Sequence, residues 1–333
     1  MKKILYLITG ANGHLGSCLV RKLLNDNKNV RGLYLANENN HIPDNVEVVM
    51  GNVLDKESLV PFFDCAGYDE VNLIHCAAIV SIESKTNPMI YKVNVEGTRN
   101  IMDLALENNI NKVIYVSSVH ALKEEEYPNI IKETKDFNPD YVKGQYGKSK
   151  AIATNMVLEY ADRGLNVSIV HPSVILGPGD INRNNNSINT LIQMYEGKIP
   201  VSLKGGYDFV DIRDVVEGII SCIEKGRKGE CYILSGHYIS IKDMLNETRK
   251  LNNKKPCNIT IPSVLIKLIT PIAEFVSINI LKTKPLLTPY SFHVLQSNAL
   301  FSNEKAKKEL AYTTRDMSDT IRDTVLQEKL WNY

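Results

Sequence analysis

Residues 4–16 read Ile-Leu-Tyr-Leu-Ile-Thr-Gly-Ala-Asn-Gly-His-Leu-Gly, an apolar run followed by a glycine-rich turn. This pattern predicts a buried strand, a tight turn and the start of a helix. Glycine lets backbone N–H groups approach a pyrophosphate that side chains would block, and the helix N-terminus favours an anion. The glycines lie three and three residues apart, which is not the commonest dinucleotide-binding spacing. A turn in some other α/β protein therefore stays an alternative at this point.

Further apolar runs follow along the chain, with helical patterns between them. They are residues 30–35, 46–50, 71–76, 113–116 and 167–170. Near-continuous apolar strands are typical of a parallel sheet that helices cover on both faces. We therefore predict an α/β fold, a Rossmann-type doubly wound parallel sheet with a smaller, mostly helical C-terminal substrate region.

Two regions are expected within the 333 residues, a length that suits one large or two modest domains. The first is a dinucleotide-binding domain over residues 1–177, completed by residues from about 206 to 235. The second is a substrate-binding region, which is formed by residues 178–205 and 236–333.

The composition argues against several kinds of partner. The 39 basic and 38 acidic residues leave a net charge of +1, so no global field attracts nucleic acid or an anionic membrane. The six cysteines form no C-x-x-C pair, and reduced thiols in a cytoplasmic protein are the simplest interpretation. No two histidines have metal-ligand spacing, so no metal is predicted. No uncharged apolar stretch approaches ~18 residues, so no membrane insertion is predicted.

A tyrosine and a lysine four residues apart, Tyr146 and Lys150, begin a long helical pattern. The spacing places both side chains on one helix face, where an ammonium would lower the pKa of the phenol from about 10 towards neutrality. Such a phenol could exchange a proton with an alcohol or a ketone. A second pair, Tyr238 and Lys242, lies beyond the strands that would border a cofactor, so we predict a structural role for Tyr238.

Taken together, these motifs resemble the extended short-chain dehydrogenase/reductase family, also called the NAD-dependent epimerase/dehydratase superfamily. The pattern is most similar to its dihydroflavonol reductase and 3β-hydroxysteroid dehydrogenase-like branch. The resemblance covers nearly the whole chain. It rests on residues 9–16, His75-Cys76-Ala77-Ala78, residues 94–98, Ser117-Ser118, Tyr146 with Lys150, His171-Pro172-Ser173, residues 177–179 and residues 208–214.

The family's catalytic residues match Ser118, Tyr146 and Lys150. The resemblance implies that Ser118 polarises the carbonyl, that Tyr146 passes the proton and that Lys150 holds the nicotinamide ribose. Ser117 competes for the first role, but strand alternation and the family's usual choice of the last serine favour Ser118. Asn94 matches a fourth catalytic element, although a residue that merely starts a helix fits its position equally well.

The resemblance also implies a set of cofactor-binding residues. They are Gly10, Asn12, Gly13, His14, Leu15, Gly16, Asn52, Val53, Ala77, Ala78, Ser117, Tyr146, Lys150, Pro172 and Ser173. Family members that use NAD carry an acidic residue at the end of the second strand, and those that use NADP carry a nearby arginine. Residues 34–37 of this chain contain neither. Glu38 could reach the ribose, whereas Arg31 is interpreted as a surface residue. The cofactor is therefore expected to be NAD or NADP, with NAD favoured.

The substrate is expected to contact His120 and Tyr207. Family members that act on nucleotide sugars carry an arginine where Tyr207 stands, and a buried diphosphate needs a compensating charge. Tyr207 therefore argues against a nucleotide sugar, although Arg183 and Lys204 could supply that charge. The apolar pattern of residues 261–287 indicates a helical lid over an apolar substrate, or a helix simply packed on the domain.

The favoured function is an NAD(P)-dependent oxidoreductase that interconverts a secondary alcohol and a ketone on a small, mostly apolar or aromatic molecule. A nucleotide-sugar epimerase or dehydratase is the first alternative, and a non-catalytic cofactor-sensing protein is the second. The expected partner is a small-molecule substrate, and a homodimer stays open. The sequence identifies neither the substrate nor the physiological direction.

Overall fold

A parallel sheet is the centre of the molecule. The computed structural model describes residues 2–36, 38, 41–180 and 185–330, and only the main chain of residues 327–330. Within these residues the sheet has seven strands, all parallel. Their spatial order is β10 (Cys231–Leu234), β6 (Val167–Pro172), β5 (Lys112–Val116), β4 (Glu70–His75), β1 (Ile4–Thr9), β2 (Asn29–Tyr34) and β3 (Glu47–Met50).

Two smaller sheets are built from the second half of the chain. One contains β11 (His237–Ser240), β9 (Gly206–Asp211) and β7 (Val174–Leu176), and the other pairs β12 (Thr260–Ile261) with β8 (Ser202–Leu203). The helices are α1 (His14–Asn25), α2 (Lys56–Leu59), α3 (Pro88–Tyr91), α4 (Thr98–Glu107), α5 (Gln145–Asp162), α6 (Asn186–Glu196), α7 (Ile212–Lys225), α8 (Ile241–Leu251), α9 (Ser263–Phe275), α10 (Pro289–Gln296), α11 (Glu304–Leu310) and α12 (Met317–Leu330). Lys92–Gly97 and Val276–Ile280 are π-helical.

Both faces of the central sheet are buried, which explains why its strands read as continuous apolar runs. In β1, Leu5 and Leu7 pack into one core with α4 and α5, whereas Tyr6 and Ile8 pack into a second core with α1 and α7. Each predicted apolar run becomes a strand of this sheet. The predicted doubly wound α/β fold is thus confirmed, while the domain boundaries stay a prediction.

The interpretation of Arg31 as a surface residue is wrong. Arg31 is buried on β2, and its guanidinium donates to the carbonyl oxygens of Phe62 (3.0 Å) and Asp64 (2.5 Å). It also forms an ion pair with Glu47 at 2.8 Å. These partners compensate the buried charge and engage Arg31 in the structure of the domain.

One apolar stretch departs from the expectation drawn from the sequence. Within the described chain, the segment Ser263–Ile280 is long and apolar enough to cross a membrane by length and composition, and only 17% of it is buried. The count of uncharged residues missed it because Lys267 and Glu274 interrupt the run. Core helices of soluble proteins meet the same criteria of length and composition.

All six cysteines are free thiols. Burial raises the pKa of Cys222 and of Cys231 to about 12, so both thiols are neutral at physiological pH. This agrees with reduced, structural cysteines. The cytoplasmic location stays a prediction.

Candidate active site

The glycine turn after β1 depends on close backbone contacts. Gly10 has a φ of +66°, and a Cβ there would lie 2.9 Å from the backbone nitrogen of Ala77. A Cβ on Gly16 would overlap the carbonyl group of Gly10. Glycine at these two positions therefore allows the turn, β4 and the first turn of α1 to meet.

Gly13 differs, because its missing side chain leaves open space. It is exposed at the N-cap of α1, with φ −79° and ψ 171°, and no side chain caps the helix. A Cβ on Gly13 would meet only the Gly10 carbonyl oxygen, at 3.2 Å. The first N–H groups of a helix lack intrahelical acceptors and favour an anion. The glycine turn thus fits the pyrophosphate of a dinucleotide. The N–H groups of His14 and Leu15, in the first turn of α1, are the donors that would face it.

A second predicted motif lies beside this turn. The His14 Nε2 donates to the Pro178 carbonyl oxygen at 3.2 Å, and the Cys18 thiol contacts the same oxygen. The Asn185 Nδ2 lies 3.5 Å from the His14 Nδ1. Residues 177–179 are thereby held against the start of α1, at the carboxyl edge of the sheet where ligands of such folds bind.

Other residues predicted to contact the cofactor follow β1, β2 and β3. The Asn12 Nδ2 donates to the Glu38 carboxylate at 3.4 Å, and the Asn12 Oδ1 accepts from the His41 N–H at 3.0 Å. Asn52 is exposed, and its Oδ1 accepts from the Leu54 N–H at 3.0 Å. Val53 is buried against Gly97. Glu38 therefore lies next to the glycine turn, although it does not belong to β2.

Of the two candidate serines, the structure brings Ser118 to the tyrosine. The Ser117 hydroxyl points to α5, where it lies 2.7 Å from the Thr154 hydroxyl. The Ser118 hydroxyl accepts from the His120 N–H at 3.2 Å, and an interaction with Ser118 opposes the rise in the pKa of Tyr146. This arrangement supports the choice of Ser118 over Ser117 as the residue facing the reacting carbonyl.

The pKa of the tyrosine differs from the expectation. Burial raises the pKa of Tyr146 to about 12, and the hydrogen bond with Ser118 only partly opposes this shift. The Lys150 Nζ donates to the Val116 carbonyl oxygen at 2.7 Å and lies over the Tyr115 ring at 4.9 Å. Burial also lowers the pKa of Lys150 to about 7. The expected lowering of the Tyr146 pKa by Lys150 is therefore wrong for the geometry of this structure.

Asn94 does not begin a helix. It is fully buried within the π-helical segment Lys92–Gly97. Its Nδ2 donates to the Ile79 carbonyl oxygen and to the Ser149 hydroxyl, both at 3.0 Å, and its Oδ1 accepts from the Ile79 N–H at 2.8 Å. Asn94 thus fastens the loop after β4 to α5, the helix that carries Tyr146 and Lys150. The reading of Asn94 as an ordinary helix-starting residue is wrong.

Aromatic rings surround the approach to Tyr146. The His120 ring stacks on Tyr207, with centroids 5.6 Å apart and planes 5° apart. The same ring lies 6.0 Å from Tyr146 and 6.5 Å from Tyr290. We call His120, Tyr207 and Tyr290 the aromatic wall. Two of its members were predicted from the sequence as substrate-binding residues.

Tyr290 was missed by the sequence analysis because α10 reaches the site from far downstream. Gly144, which precedes α5, has a φ of +76°, and a Cβ there would overlap the Tyr290 ring. A glycine just before a catalytic helix was the available signal for a close neighbour. His171 belongs to a motif quoted from the sequence, but no role was predicted for it: its ring lies 3.0 Å from the Ser118 carbonyl oxygen through Nδ1 and stacks on Phe137 at 5.3 Å. His171 therefore positions Ser118.

The remaining predicted residues fall around these groups. Ala77 and Ala78 are partly buried after β4, and the Ala77 N–H donates to the Thr9 hydroxyl at 3.2 Å. Pro172 ends β6, and the buried Ser173 follows it, with its N–H on the Leu234 carbonyl oxygen at 3.3 Å. Lys204 is exposed, and Arg183 lies outside the described residues.

The second tyrosine–lysine pair does not form a matching arrangement. Tyr238 is 56% exposed on β11, whereas Lys242 belongs to α8, so the two residues do not share a helix face. In the described parts of the chain, no cluster of His, Cys, Asp or Glu could hold a metal ion.

Comparison with known proteins finds relatives that match nearly the whole chain. The chain is similar to sterol demethylase protein B of Methylococcus capsulatus, with 28% identity over 96% of each chain. It is 23% identical to a decarboxylating sterol-4-alpha-carboxylate 3-dehydrogenase of Dictyostelium discoideum, over 92% of this chain and 95% of that one. The crystal structure of gox2253 superimposes with a TM-score of 0.83 and 28% identity, over 98% of both chains.

A family model covers most of the same region. The model of the NAD dependent epimerase/dehydratase family matches residues 6–235, which include the glycine turn, Ser118, Tyr146 and Lys150. The chain therefore belongs to the NAD dependent epimerase/dehydratase family, and it is an NAD(P)-dependent oxidoreductase of the extended short-chain dehydrogenase/reductase type.

Proposed function

We propose that this protein interconverts a secondary alcohol and a ketone on a small, mostly apolar or aromatic substrate, with Tyr146 as the proton donor and acceptor. The observation that carries this proposal is the aromatic wall: the His120 ring lies 6.0 Å from the Tyr146 ring, and the rings of Tyr207 and Tyr290 adjoin His120. Planar apolar surfaces bind apolar or aromatic ligands through burial and stacking. His120, Tyr207 and Tyr290 are its proposed substrate contacts.

The bound nicotinamide would supply or accept the hydride. The open first turn of α1 at Gly13 would hold the pyrophosphate, and Lys150 would hold the nicotinamide ribose. The predicted contacts of Ala77, Ala78, Pro172 and Ser173 would complete the nicotinamide end, and those of Asn52 and Val53 the adenine end.

Proton transfer would run between Tyr146 and the substrate oxygen. Ser118 would donate a hydrogen bond to the carbonyl oxygen, while His171 holds the Ser118 main chain. Because burial raises the pKa of Tyr146 to about 12, the phenol is protonated at neutral pH and ready to act as an acid.

The aromatic wall also argues against a nucleotide sugar. Tyr207 is buried, stacks on His120 and packs edge-on against Phe301 at 5.8 Å. It therefore offers a ring where a diphosphate would need a cation. The two relatives described above are named for sterols, which supports an apolar substrate for this chain.

We expect nucleotide diphosphates to bind weakly in the presence of cofactor. UDP and dTDP should raise the melting temperature far less than apolar ketones or their alcohols do, because a ligand at ~100 Kd stabilises the folded state by about 2.7 kcal/mol. Thermal-shift titration can rank the compounds. Saturable micromolar binding of a sugar nucleotide, with an epimerised or dehydrated product by NMR, would contradict the proposal and favour the epimerase alternative.

We propose NAD as the preferred cofactor. The Glu38 carboxylate contacts Asn12 of the glycine turn, where it could accept from the ribose hydroxyls. A 2′-phosphate at that place would be repelled by the carboxylate.

We expect NADH to bind at least about tenfold more tightly than NADPH, which corresponds to 1.4 kcal/mol. Glu38→Gln should narrow this ratio by improving NADPH binding, whereas Glu107→Gln, an exposed acid at the end of α4, should leave it unchanged. Calorimetric titration measures both dissociation constants. Tighter binding of NADPH than of NADH by the wild type would rule out the proposed role of Glu38.

A further inference from the structure

Helix α9 buries two polar residues and exposes most of its large apolar ones. Ile266, Thr270 and Glu274, at a spacing of four residues, form its buried stripe. The other side carries large apolar side chains that are exposed by about half to two thirds. We call these residues the apolar face: Val264, Leu265, Leu268, Ile269, Ile272 and Phe275, continued by Ile280 and Leu281. Contiguous exposed apolar surface of this kind marks an interaction site.

The segment of the chain that contains α9 is rich in basic residues. Residues 248–303 contain seven Lys or Arg residues and a single acidic residue, Glu274, although the whole chain has a net charge of only +1. Glu274 is buried, whereas the lysines near α9 are exposed. These lysines are Lys254, Lys255, Lys267, Lys282 and Lys284. Within residues 248–303 the apolar face is therefore accompanied by exposed lysines and by no exposed acid.

The buried stripe fixes α9 to the loop between β4 and α3. The Glu274 carboxylate accepts from the Ser84 N–H at 2.7 Å, and the Thr288 hydroxyl donates to the Ile82 carbonyl oxygen at 2.6 Å. Ser84 and Ile82 both lie in the loop between β4 and α3. Asn94 forms hydrogen bonds with the same loop. A helix attached along one side can lie on a bilayer but does not pass through it.

We propose that the apolar face docks on an anionic lipid bilayer, with α9 lying in the plane of the interface. Helices that lie at this interface bury apolar side chains at the headgroup boundary and hold Lys or Arg near anionic lipids. The lysines favour this occupant over a second copy of the chain, because two such faces would bring like charges together. The proposal goes beyond the oxidoreductase activity and does not depend on the substrate.

Flotation with lipid vesicles tests this proposal without any turnover. The wild type is expected to float with vesicles of phosphatidylcholine and phosphatidylglycerol in equal parts, and much less with phosphatidylcholine alone or at high salt. Leu268→Ser combined with Ile272→Ser should weaken binding at least about tenfold, because transfer of one such side chain from water is worth that factor or more. Met50→Ser with Val60→Ser removes two equally exposed apolar side chains elsewhere and should change nothing.

A second variant keeps the test decisive if the serine variant fails to fold. Lys267→Glu with Lys282→Glu leaves the apolar face intact and should also weaken binding to anionic vesicles at least about tenfold. The proposal would be overturned if the wild-type protein floated with neither kind of vesicle. It would also be overturned if the charge-reversed variant floated as the wild type does. A wild-type dimer in gel filtration that Leu268→Ser with Ile272→Ser dissociates would overturn it too, because a second copy would then cover the face.

Discussion

Tyr146→Phe is expected to lower kcat for ketone reduction by at least the ~100-fold that general acid catalysis typically contributes. The substitution keeps the buried ring and removes the phenolic proton and the hydrogen bond with Ser118. The dissociation constant for reduced cofactor should change little, because the glycine turn lies on other elements. Steady-state kinetics and calorimetric titration on the same preparation measure the two quantities separately.

Tyr238→Phe is the matched control for this variant. Tyr238 also precedes a lysine by four residues, but it is exposed on β11. Its replacement should leave kcat within about twofold of the wild-type value, as is usual for exposed positions outside a site. If Tyr238→Phe inactivated the enzyme and Tyr146→Phe did not, the active site would have been placed wrongly.

Gly13→Val is expected to abolish binding of NADH while the protein stays folded. The backbone angles of Gly13 are accessible to any residue, and a Cβ would displace the Gly10 carbonyl by only a few tenths of an ångström. The branched side chain would, however, occupy the space in front of the first turn of α1. Calorimetric titration measures the affinity, and thermal unfolding confirms the fold.

Two other glycine variants make this expectation specific. Gly13→Ala should reduce the affinity less than Gly13→Val, because its side chain is smaller. Gly16→Ala should instead destabilise the protein, because its Cβ would overlap the Gly10 carbonyl group. Wild-type affinity in a folded Gly13→Val protein would show that the pyrophosphate binds elsewhere.

The sequence predicted the parts of the molecule that local pattern controls. Strand β1 and its neighbours are apolar on both sides because both sides are covered, so their runs were visible without any alignment. The spacing of Tyr146 and Lys150 predicted that both side chains lie on one face of a helix. Both residues belong to α5 in the structure. The glycines after β1 indicated the turn because a Cβ at Gly10 or Gly16 would overlap neighbouring backbone atoms.

Long-range packing explains what the sequence did not predict. Tyr290 reaches Gly144 from the other end of the chain, and only the fold reveals that contact. The pKa of Tyr146 rises because the residue is buried, and the spacing to Lys150 carries no information about burial. In α9 the periodicity indicated an apolar side. In the structure the side that carries Glu274 is buried, and the apolar side is exposed.

Transfer of deuterium from NADH tests the central claim most directly. Wild-type protein is incubated with NADH deuterated at C4 and a panel of apolar and aromatic ketones, and the products are analysed by mass spectrometry and NMR. We expect a secondary alcohol with the deuterium on its carbinol carbon, formed at least ~100-fold more slowly by Tyr146→Phe. Absence of labelled alcohol from every ketone, while a nucleotide sugar is converted under the same conditions, would contradict the account.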